Sequence, residues 1–285
     1  MKTSADIQEN SVVPEVKTSV CLNCGAEVSS HFCADCGQRY PQHRLTMREL
    51  LHLSWGSLVD FDRGFLFTVK ELFKHPSAVI SDYINGRRVV YTNPVKYLFL
   101  WLGISTFIGF SLVDIDVLSQ RMSQQQFKKS SVQTEIKSEK AKQRLEQSRK
   151  TTLQMQRLMI QNPQFTYAIL IPIAGMFTYL FFKKQGYTYA EHLLLNAYIT
   201  TQTIILNLPV YVLYWLFPTH FGAISITSLL IVALCYTAIA ASFFYKSSYL
   251  KAGAKALVAH VLAYFVFGIL LIVLMIAYII FLLPK

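Results

Sequence analysis

The apolar stretch that decides the fold lies near the end of the chain, where residues 256–283 run ALVAHVLAYFVFGILLIVLMIAYIIFLL without a charged side chain. A helix of about 20 such residues crosses the hydrocarbon core of a lipid bilayer. Earlier stretches of the same character lie at residues 94–113, 165–182, 190–216 and 223–244. The sequence therefore predicts a membrane all-α fold, a bundle of five spanning helices of which the last four occupy residues 165–285.

The composition supports this interpretation. Of 285 residues, 53% are hydrophobic and only 15% are charged, whereas an average soluble domain carries about 25% charged residues. This balance excludes a disordered chain and argues against one or two soluble globular domains. Most of the molecular surface must therefore face an environment as apolar as itself.

The formal net charge of +11 is concentrated in the loops, above all in residues 114–164, which carry ten Lys or Arg against five Asp or Glu. We predict a basic helical or partly disordered loop there. It is either a solvated arm or an arm that binds a protein partner or lipid. Basic residues beside apolar stretches are typical of contact with anionic lipids. Because the loop contains a single aromatic residue, Phe127, the pattern argues against nucleic acid as a partner.

Basic residues also predict the orientation, because short loops rich in Lys and Arg stay in the cytoplasm. Such residues precede the first span and follow the second and fourth: Arg87, Arg88, Lys183, Lys184, Lys246, Lys251 and Lys255. We therefore expect a cytoplasmic N-terminus and an external C-terminus. The loop 114–164 would then be external, against the rule, but at about 50 residues it approaches the length at which the rule weakens.

Four of the five cysteines form two Cys-x-x-Cys-Gly motifs, with ligand candidates at Cys21, Cys24, Cys33 and Cys36. Each motif can turn two thiolates toward one ion, and together they supply the four sulfurs of a closed structural Zn²⁺ site. Two disulfides would need an oxidising compartment, against the expected orientation. We predict a zinc ribbon at residues 20–40, after a disordered N-terminus at residues 1–19.

Residues 41–93 carry apolar side chains at helical spacing, so they predict amphipathic helices that lie on the membrane face or pack under the bundle. An ordinary packed helical subdomain is the alternative. This region ends with a glycine turn that presents two guanidinium groups between two tyrosines: Tyr83, Arg87, Arg88 and Tyr91. Guanidinium groups match phosphate or carboxylate, so these four residues are candidates for contact with lipid or an acidic partner. The alternative is a basic anchor with interfacial tyrosines.

The third span is unusually polar, and ionisable or amide groups within a bilayer are often functional. Its candidate intramembrane polar residues are Glu191, His192, Asn196, Gln202 and Asn207. Glu191 could pair with Arg87 or Arg88. The alternative is that Glu191 and His192 simply stabilise the start of a helix.

Three of these motifs together resemble a bacterial integral-membrane family called domain of unknown function 3667. They are the cysteine motifs at 21–38, the Tyr-x-x-Gly-x-Arg-x-x-Tyr-x-x-Pro motif at 83–94 and Ala-Glu-His-Leu at 190–193. The resemblance implies a multi-span inner-membrane protein with a zinc-ribbon head and no assigned activity. The long loop 114–164 is larger than the family pattern requires.

These features favour an integral inner-membrane interaction or scaffold protein with the zinc ribbon as a cytoplasmic docking head. A carrier of a small or lipidic substrate through the polar third span is the alternative, and a membrane enzyme comes third. The chain lacks the Gly-x-Ser-x-Gly, His-Glu-x-x-His, Walker and Gly-x-Gly-x-x-Gly motifs. We therefore expect no catalytic activity. The expected partners are the bilayer, with its anionic lipids, and a protein bound through the ribbon or the loop.

Overall fold

The structure is a computed structural model that describes residues 19–40, 45–48, 50, 64–112, 161–217 and 221–282, with single positions at 147, 151, 154 and 158. Side chains at 221–230, 249, 275 and 278–282 are excluded from the description. The predicted N-terminal segment and nearly all of the loop 114–164 lie outside these ranges. So do parts of the predicted amphipathic region, at residues 41–44, 49 and 51–63.

The first described segment is a small cysteine-rich hairpin unit, residues 19–40, which we name the ribbon. Strand β1 (Ser19–Val20) pairs antiparallel with β2 (Glu27–Val28), and Phe32 forms an isolated antiparallel bridge with Arg39. Its buried hydrophobic cluster consists of Cys21, Val28 and Cys33. So small a core does not stabilise a fold by itself, and cysteines that bind a metal can supply the missing stability.

Two short helices follow, α1 (Phe65–Lys74) and α2 (Pro76–Ile84). Proline suits the first helical position of α2 because it has no N–H to leave unpaired there. The same proline deprives the Leu72 carbonyl in α1 of its usual donor four residues later. The hydroxyl of Tyr236 donates to that carbonyl instead, at 3.0 Å. The pair of helices is thereby joined to the long helices, so the predicted helical region packs on the bundle.

The long helices are nearly all apolar. They are α3 (Pro94–Leu112), α4 (Pro163–Phe182), α5 (Tyr189–Leu216), α6 (Phe221–Phe244) and α7 (Tyr249–Leu282). A short 3-10 helix, Lys183–Gln185, follows α4. Among the described residues, four stretches are long and apolar enough to cross a membrane: Pro94–Leu112, Pro163–Gln185, Tyr189–Leu216 and Leu250–Leu274. The chain is thus a helical, multi-pass membrane protein.

The fourth predicted span corresponds to α6, whose described apolar part, Ile231–Phe244, is shorter than a spanning helix. A membrane span at α6, and with it a total of five spans, therefore stays a prediction. The first three predicted spans agree with α3, α4 and α5 to within two residues. Helix α7, by contrast, begins at Tyr249, seven residues before the predicted start of the last span at 256.

Helix α5 is the centre of the bundle. It packs against α3, α4 and α6 and also contacts both α1 and α2. Its first half is almost completely buried, polar side chains included. The most polar of the predicted spans is therefore the one with the most protein around it, because neighbouring helices can satisfy polar groups that lipid cannot.

Candidate metal centre and its contacts with the bundle

The side chains of the four motif cysteines meet at one point of the ribbon. Their Sγ atoms all lie within 4.8 Å of one another. The closest pairs join the two motifs, with Cys21 Sγ and Cys36 Sγ 3.6 Å apart and Cys24 Sγ and Cys33 Sγ 3.5 Å apart. Residues 24 and 33 are separated by a hairpin, so the two motifs face each other as the sequence predicted.

The two motifs have the same backbone geometry. In the first, the Cys21 N–H donates to the Ala26 carbonyl and the Gly25 N–H donates back to Cys21. In the second, Cys33 and Gln38 are joined in the same way, and the Gly37 N–H donates to Cys33. Both glycines adopt left-handed φ angles, +81° for Gly25 and +72° for Gly37, which residues with a side chain rarely adopt. The local sequence thus dictates the turn that points the sulfurs inward.

The cysteine cluster fits a tetrahedral thiolate-bound ion. A tetrahedron with metal–sulfur bonds of about 2.3 Å has sulfur–sulfur edges of about 3.8 Å, close to the distances observed. The described cysteines are free thiols, and their separations far exceed the length of about 2.05 Å of a disulfide bond. Burial acts to raise the pKa of Cys21, but hydrogen bonds from the Cys24 and Asn23 backbone and from neighbouring thiols lower it to about 7. The cluster can therefore hold a metal ion.

Two side chains attach the ribbon to the turn that leads into α3. The buried Gln38 amide donates from Nε2 to the Gly86 carbonyl at 2.7 Å. Its Oε1 accepts from the backbone N–H of Arg88 at 3.1 Å and of Val89 at 3.4 Å. In addition, Asn23 Oδ1 accepts from the Val90 N–H at 3.3 Å. The metal centre is therefore docked on residues 86–90, which we name the pre-span turn.

The predicted Arg/Tyr contact residues lie in and beside this turn, where they make contacts within the chain. Arg87 pairs with Asp82 at 3.3 Å, and the Arg88 Nε donates to the Tyr83 carbonyl at 3.2 Å. Tyr83 and Tyr91 are buried. Burial and the Asp82 carboxylate, which accepts from its hydroxyl at 3.0 Å, raise the pKa of Tyr91 to about 12. Lipid or partner contact by these four residues stays a prediction.

The pre-span turn continues into contacts with α1 and α5. The Thr92 N–H donates to Thr68 Oγ1 in α1 at 2.9 Å, and the Tyr198 hydroxyl in α5 donates to the Thr92 carbonyl at 2.6 Å. The next residue, Asn93, then accepts from the Val95 N–H at 2.9 Å and so caps the start of α3. The turn thus joins the ribbon to three helices of the bundle.

At the start of α5, Glu191 stabilises the helix end, which was the alternative to its pairing with Arg87 or Arg88. Thr188 and Glu191 form a reciprocal capping box, in which the Thr188 N–H donates to Glu191 Oε2 at 2.7 Å. The His192 Nδ1 is hydrogen-bonded to the Tyr245 hydroxyl at 2.8 Å. Pairing of Glu191 with either arginine of the turn stays a prediction.

Two of the other candidate polar residues of α5, Asn196 and Gln202, contact neighbouring helices. Asn196 Nδ2 donates to Thr178 Oγ1 in α4 at 2.9 Å. Gln202 is fully buried, and its Oε1 accepts from the Tyr97 hydroxyl in α3 at 2.9 Å. The buried Asn196 Oδ1 and Asn207 Oδ1 have no hydrogen-bond partner within the part of the chain that the structure describes. An intramembrane functional role for these residues stays a prediction.

Sequence reasoning missed three residues that hold the pre-span turn and its neighbours in place. Asn23 and Gln38 were visible only as parts of the cysteine motifs, and Asp82 had no assigned role. Their partners lie 67, 48 and 5 residues away along the chain. The sequence offered one signal for two of them. Asn23 lies inside the first cysteine motif and Gln38 directly follows the second, and metal binding does not require an amide side chain at either position.

Comparison with known proteins gives a match for one segment of the chain, to a family model. No curated protein and no solved structure matches the chain. Residues 62–106, which include α1, α2, the pre-span turn and the first part of α3, match the family described as Protein of unknown function (DUF3667), which supports the resemblance that the motifs indicated.

Proposed function

We propose that this chain is an interaction or scaffold protein of the bacterial inner membrane, and that its metal-loaded ribbon is the docking head. The observation that carries the proposal is the surface of the ribbon. Although the ribbon is fixed to the pre-span turn, three large apolar side chains stay solvent-exposed: Val20 at 62%, Leu22 at 56% and Phe32 at 58%. A unit of 22 residues that leaves so much apolar area uncovered is suited to bind a partner.

Charge indicates the kind of partner. Within residues 19–40, Glu27 and Asp35 oppose Arg39, which leaves one negative charge. Four thiolates around a divalent ion add two more. A negative unit with exposed apolar side chains fits a cytoplasmic protein segment that combines basic and apolar residues, because opposite charge favours the encounter and apolar burial stabilises the complex.

We propose Zn²⁺ as the ion. Four sulfur ligands in a closed tetrahedral set are typical of structural zinc, and they leave no open position for catalysis. Purified protein should then contain one zinc per chain. A different metal in stoichiometric amount would contradict this assignment but not the docking role.

The proposed topology has five spans, with α6 as the fourth, and places the ribbon in the cytoplasm and the C-terminus outside. The reducing cytoplasm keeps thiols available for metal binding. A single cysteine introduced at Ser138, in a Cys235→Ser background, should react with a membrane-impermeant maleimide added to whole cells. Labelling only after the cytoplasm is opened would contradict the orientation.

Site-specific photo-crosslinking in native membranes tests the docking role. A photo-reactive residue at Leu22 should crosslink to a protein whose contact peptide, sequenced from the adduct, is basic and apolar. Ala34 occupies the equivalent position in the second cysteine motif and is also exposed, so it provides the matched control. Equal crosslinking at both positions, or adducts to lipid alone at Leu22, would refute the docking role.

The carrier and the enzyme stay alternatives without a supporting observation. Transport would need the polar groups of α5 to be open to a substrate, whereas Tyr97 already engages Gln202. No set of groups described at the start of α5 resembles a catalytic constellation, since Glu191 is committed to capping its own helix.

A further inference from the structure

The contacts between the ribbon and the pre-span turn involve side chains that take no part in the proposed docking surface. One side-chain amide, that of Gln38, satisfies three backbone groups of the turn, two donors and one acceptor. Gln38 is only 4% exposed, so water cannot readily replace it. Without Gln38 the turn would lose partners for groups that are expensive to leave unpaired when buried.

The position of Gln38 depends on the metal centre. Its own carbonyl accepts from the Cys33 N–H at 2.8 Å, within the second cysteine motif. Asn23 lies between two of the cysteines in the first motif. The ribbon has almost no apolar core beyond the cysteines themselves, and binding of a structural metal supplies most of the folding free energy of such small units. The fold of the two cysteine motifs therefore positions both side chains against the turn.

The pre-span turn in turn determines how α3 begins. Gly86 has a left-handed φ of +101°, and the chain then runs through Thr92, which is held by Thr68 of α1 and Tyr198 of α5. Release of the turn would free residues 86–90, which lead directly into these contacts with α1 and α5. A short series of hydrogen bonds thus connects the cysteine motifs, through the pre-span turn, to the start of α3.

We infer that Gln38 and Asn23 form a metal-dependent latch, which fixes the pre-span turn against the bundle when the cysteine cluster is loaded and frees it when the metal is lost. Gln38 and Asn23 are positioning residues, since neither is a metal ligand. The coupling is reciprocal by thermodynamic necessity. Closing the latch must therefore strengthen metal binding by the same factor by which metal binding favours the closed latch.

Hydrogen exchange of the full-length protein in lipid nanodiscs tests the latch directly. With zinc bound, the amides of Arg88, Val89 and Val90 should exchange slowly, because each donates to the ribbon. Removal of zinc with a chelator should accelerate exchange at these positions at least tenfold. Amides in the middle of α5 serve as the internal reference and should not change. Unchanged exchange in the turn after complete zinc removal would overturn the inference.

Variants separate the latch from simple ribbon unfolding. Gln38→Ala should accelerate exchange in the turn while zinc is still bound and the Gly25 and Gly37 amides stay protected. It should also raise the zinc dissociation constant, measured against a competing chelator, by about tenfold, within the usual range of coupling between sites. Gln38→Glu keeps the acceptor for Arg88 and Val89 and should retain most of their protection.

The matched control is Asp35→Ala. Asp35 occupies in the second motif the place that Asn23 occupies in the first, but its side chain is exposed. Asn23→Ala should weaken zinc binding and free the Val90 amide, whereas Asp35→Ala should do neither. Equal effects of these two variants, or a Gln38→Ala variant with unchanged zinc affinity, would overturn the latch. Neither result bears on whether the ribbon docks a partner.

Discussion

The ribbon and the membrane bundle are held together in opposite ways. The ribbon, residues 19–40, buries almost nothing except Val28 and two of its cysteines, so we expect a metal ion bound by the four sulfur atoms to stabilise it. The bundle buries a large apolar core and, inside it, polar side chains of α5 that pair with other helices. A hydrogen bond such as that between Tyr97 and Gln202 joins positions 105 residues apart.

The ribbon and the bundle therefore differ in how their folding stability is distributed over residues. In the ribbon, the four candidate ligands lie within 16 positions of sequence and would act through one ion, so we expect loss of that ion to unfold the ribbon completely. In the bundle, stability is distributed over many contacts, each of small value, so single substitutions should weaken it only in part. The two regions meet at the pre-span turn, and the predictions below test the contrast from the metal ligands outward.

Loss of metal ligands should have the largest effect. We expect the double variant Cys21→Ser, Cys33→Ser to contain no metal and to have an unfolded ribbon, because structural zinc contributes about 10–16 kcal/mol of binding free energy in small zinc domains. The helical circular-dichroism signal of the bundle should remain. Metal content and limited proteolysis within residues 19–40 provide the measurements.

Cys235→Ser is the matched control for this prediction. Cys235 lies in α6, is exposed and is not part of the cluster, so its variant should keep metal and ribbon intact. If the double variant instead unfolded the whole bundle, the two regions would not be separately stabilised and the contrast would be wrong.

The sequence predicted the ribbon better than it predicted the bundle, and the reason is the range of the interactions. Cys-x-x-Cys-Gly specifies its own turn, its ligands and their direction over five residues, so all four candidate ligands were predicted and do converge. The apolar stretches indicated which helices exist, and nearly where they begin. They contained no signal for which polar groups meet across helices, because the pairing of Tyr198 with Thr92, or Gln38 with Gly86, depends on tertiary packing alone.

A substitution at the junction of the two regions should have the next largest effect. A Cβ atom placed on Gly64 would lie 2.6 Å from the Val90 carbonyl oxygen, a backbone atom that cannot move without disturbing the pre-span turn. Gly64→Ala should therefore destabilise the protein by about 1–3 kcal/mol, as overpacked sites do. Denaturation with SDS from mild detergent micelles measures the change.

Gly103 in α3 provides the comparison, since a Cβ atom there would meet nothing within 4 Å. Gly103→Ala should be neutral or slightly stabilising, because alanine favours a helix over glycine. Equal destabilisation by both variants would show that the close approach of Gly64 to the turn has no energetic consequence.

The capping box of α5 should contribute less. Thr188→Ala removes the side chain that caps the central helix of the bundle, and loss of such a cap costs about 1 kcal/mol. Thr188→Ser keeps a hydroxyl in the same place and should be close to the parent protein. Both are measured by the same SDS titration. If alanine were as stable as serine and the parent protein, the Thr188 cap would not contribute to bundle stability.

The smallest effect should come from a single hydrogen bond inside the bundle. A double-mutant cycle of Tyr97→Phe and Gln202→Leu isolates the 2.9 Å contact between the Tyr97 hydroxyl and Gln202. Its coupling energy should be about 0.6 kcal/mol, the average for hydrogen bonds between membrane helices, because the unfolded chain in a membrane also finds partners for these groups. A coupling of zero would mean that Gln202 is retained for a reason other than stability, and it would revive transport through the polar helix. A measurable but small coupling would instead place Gln202 among the many weak contacts that stabilise the bundle, in contrast to the single ion that we propose for the ribbon.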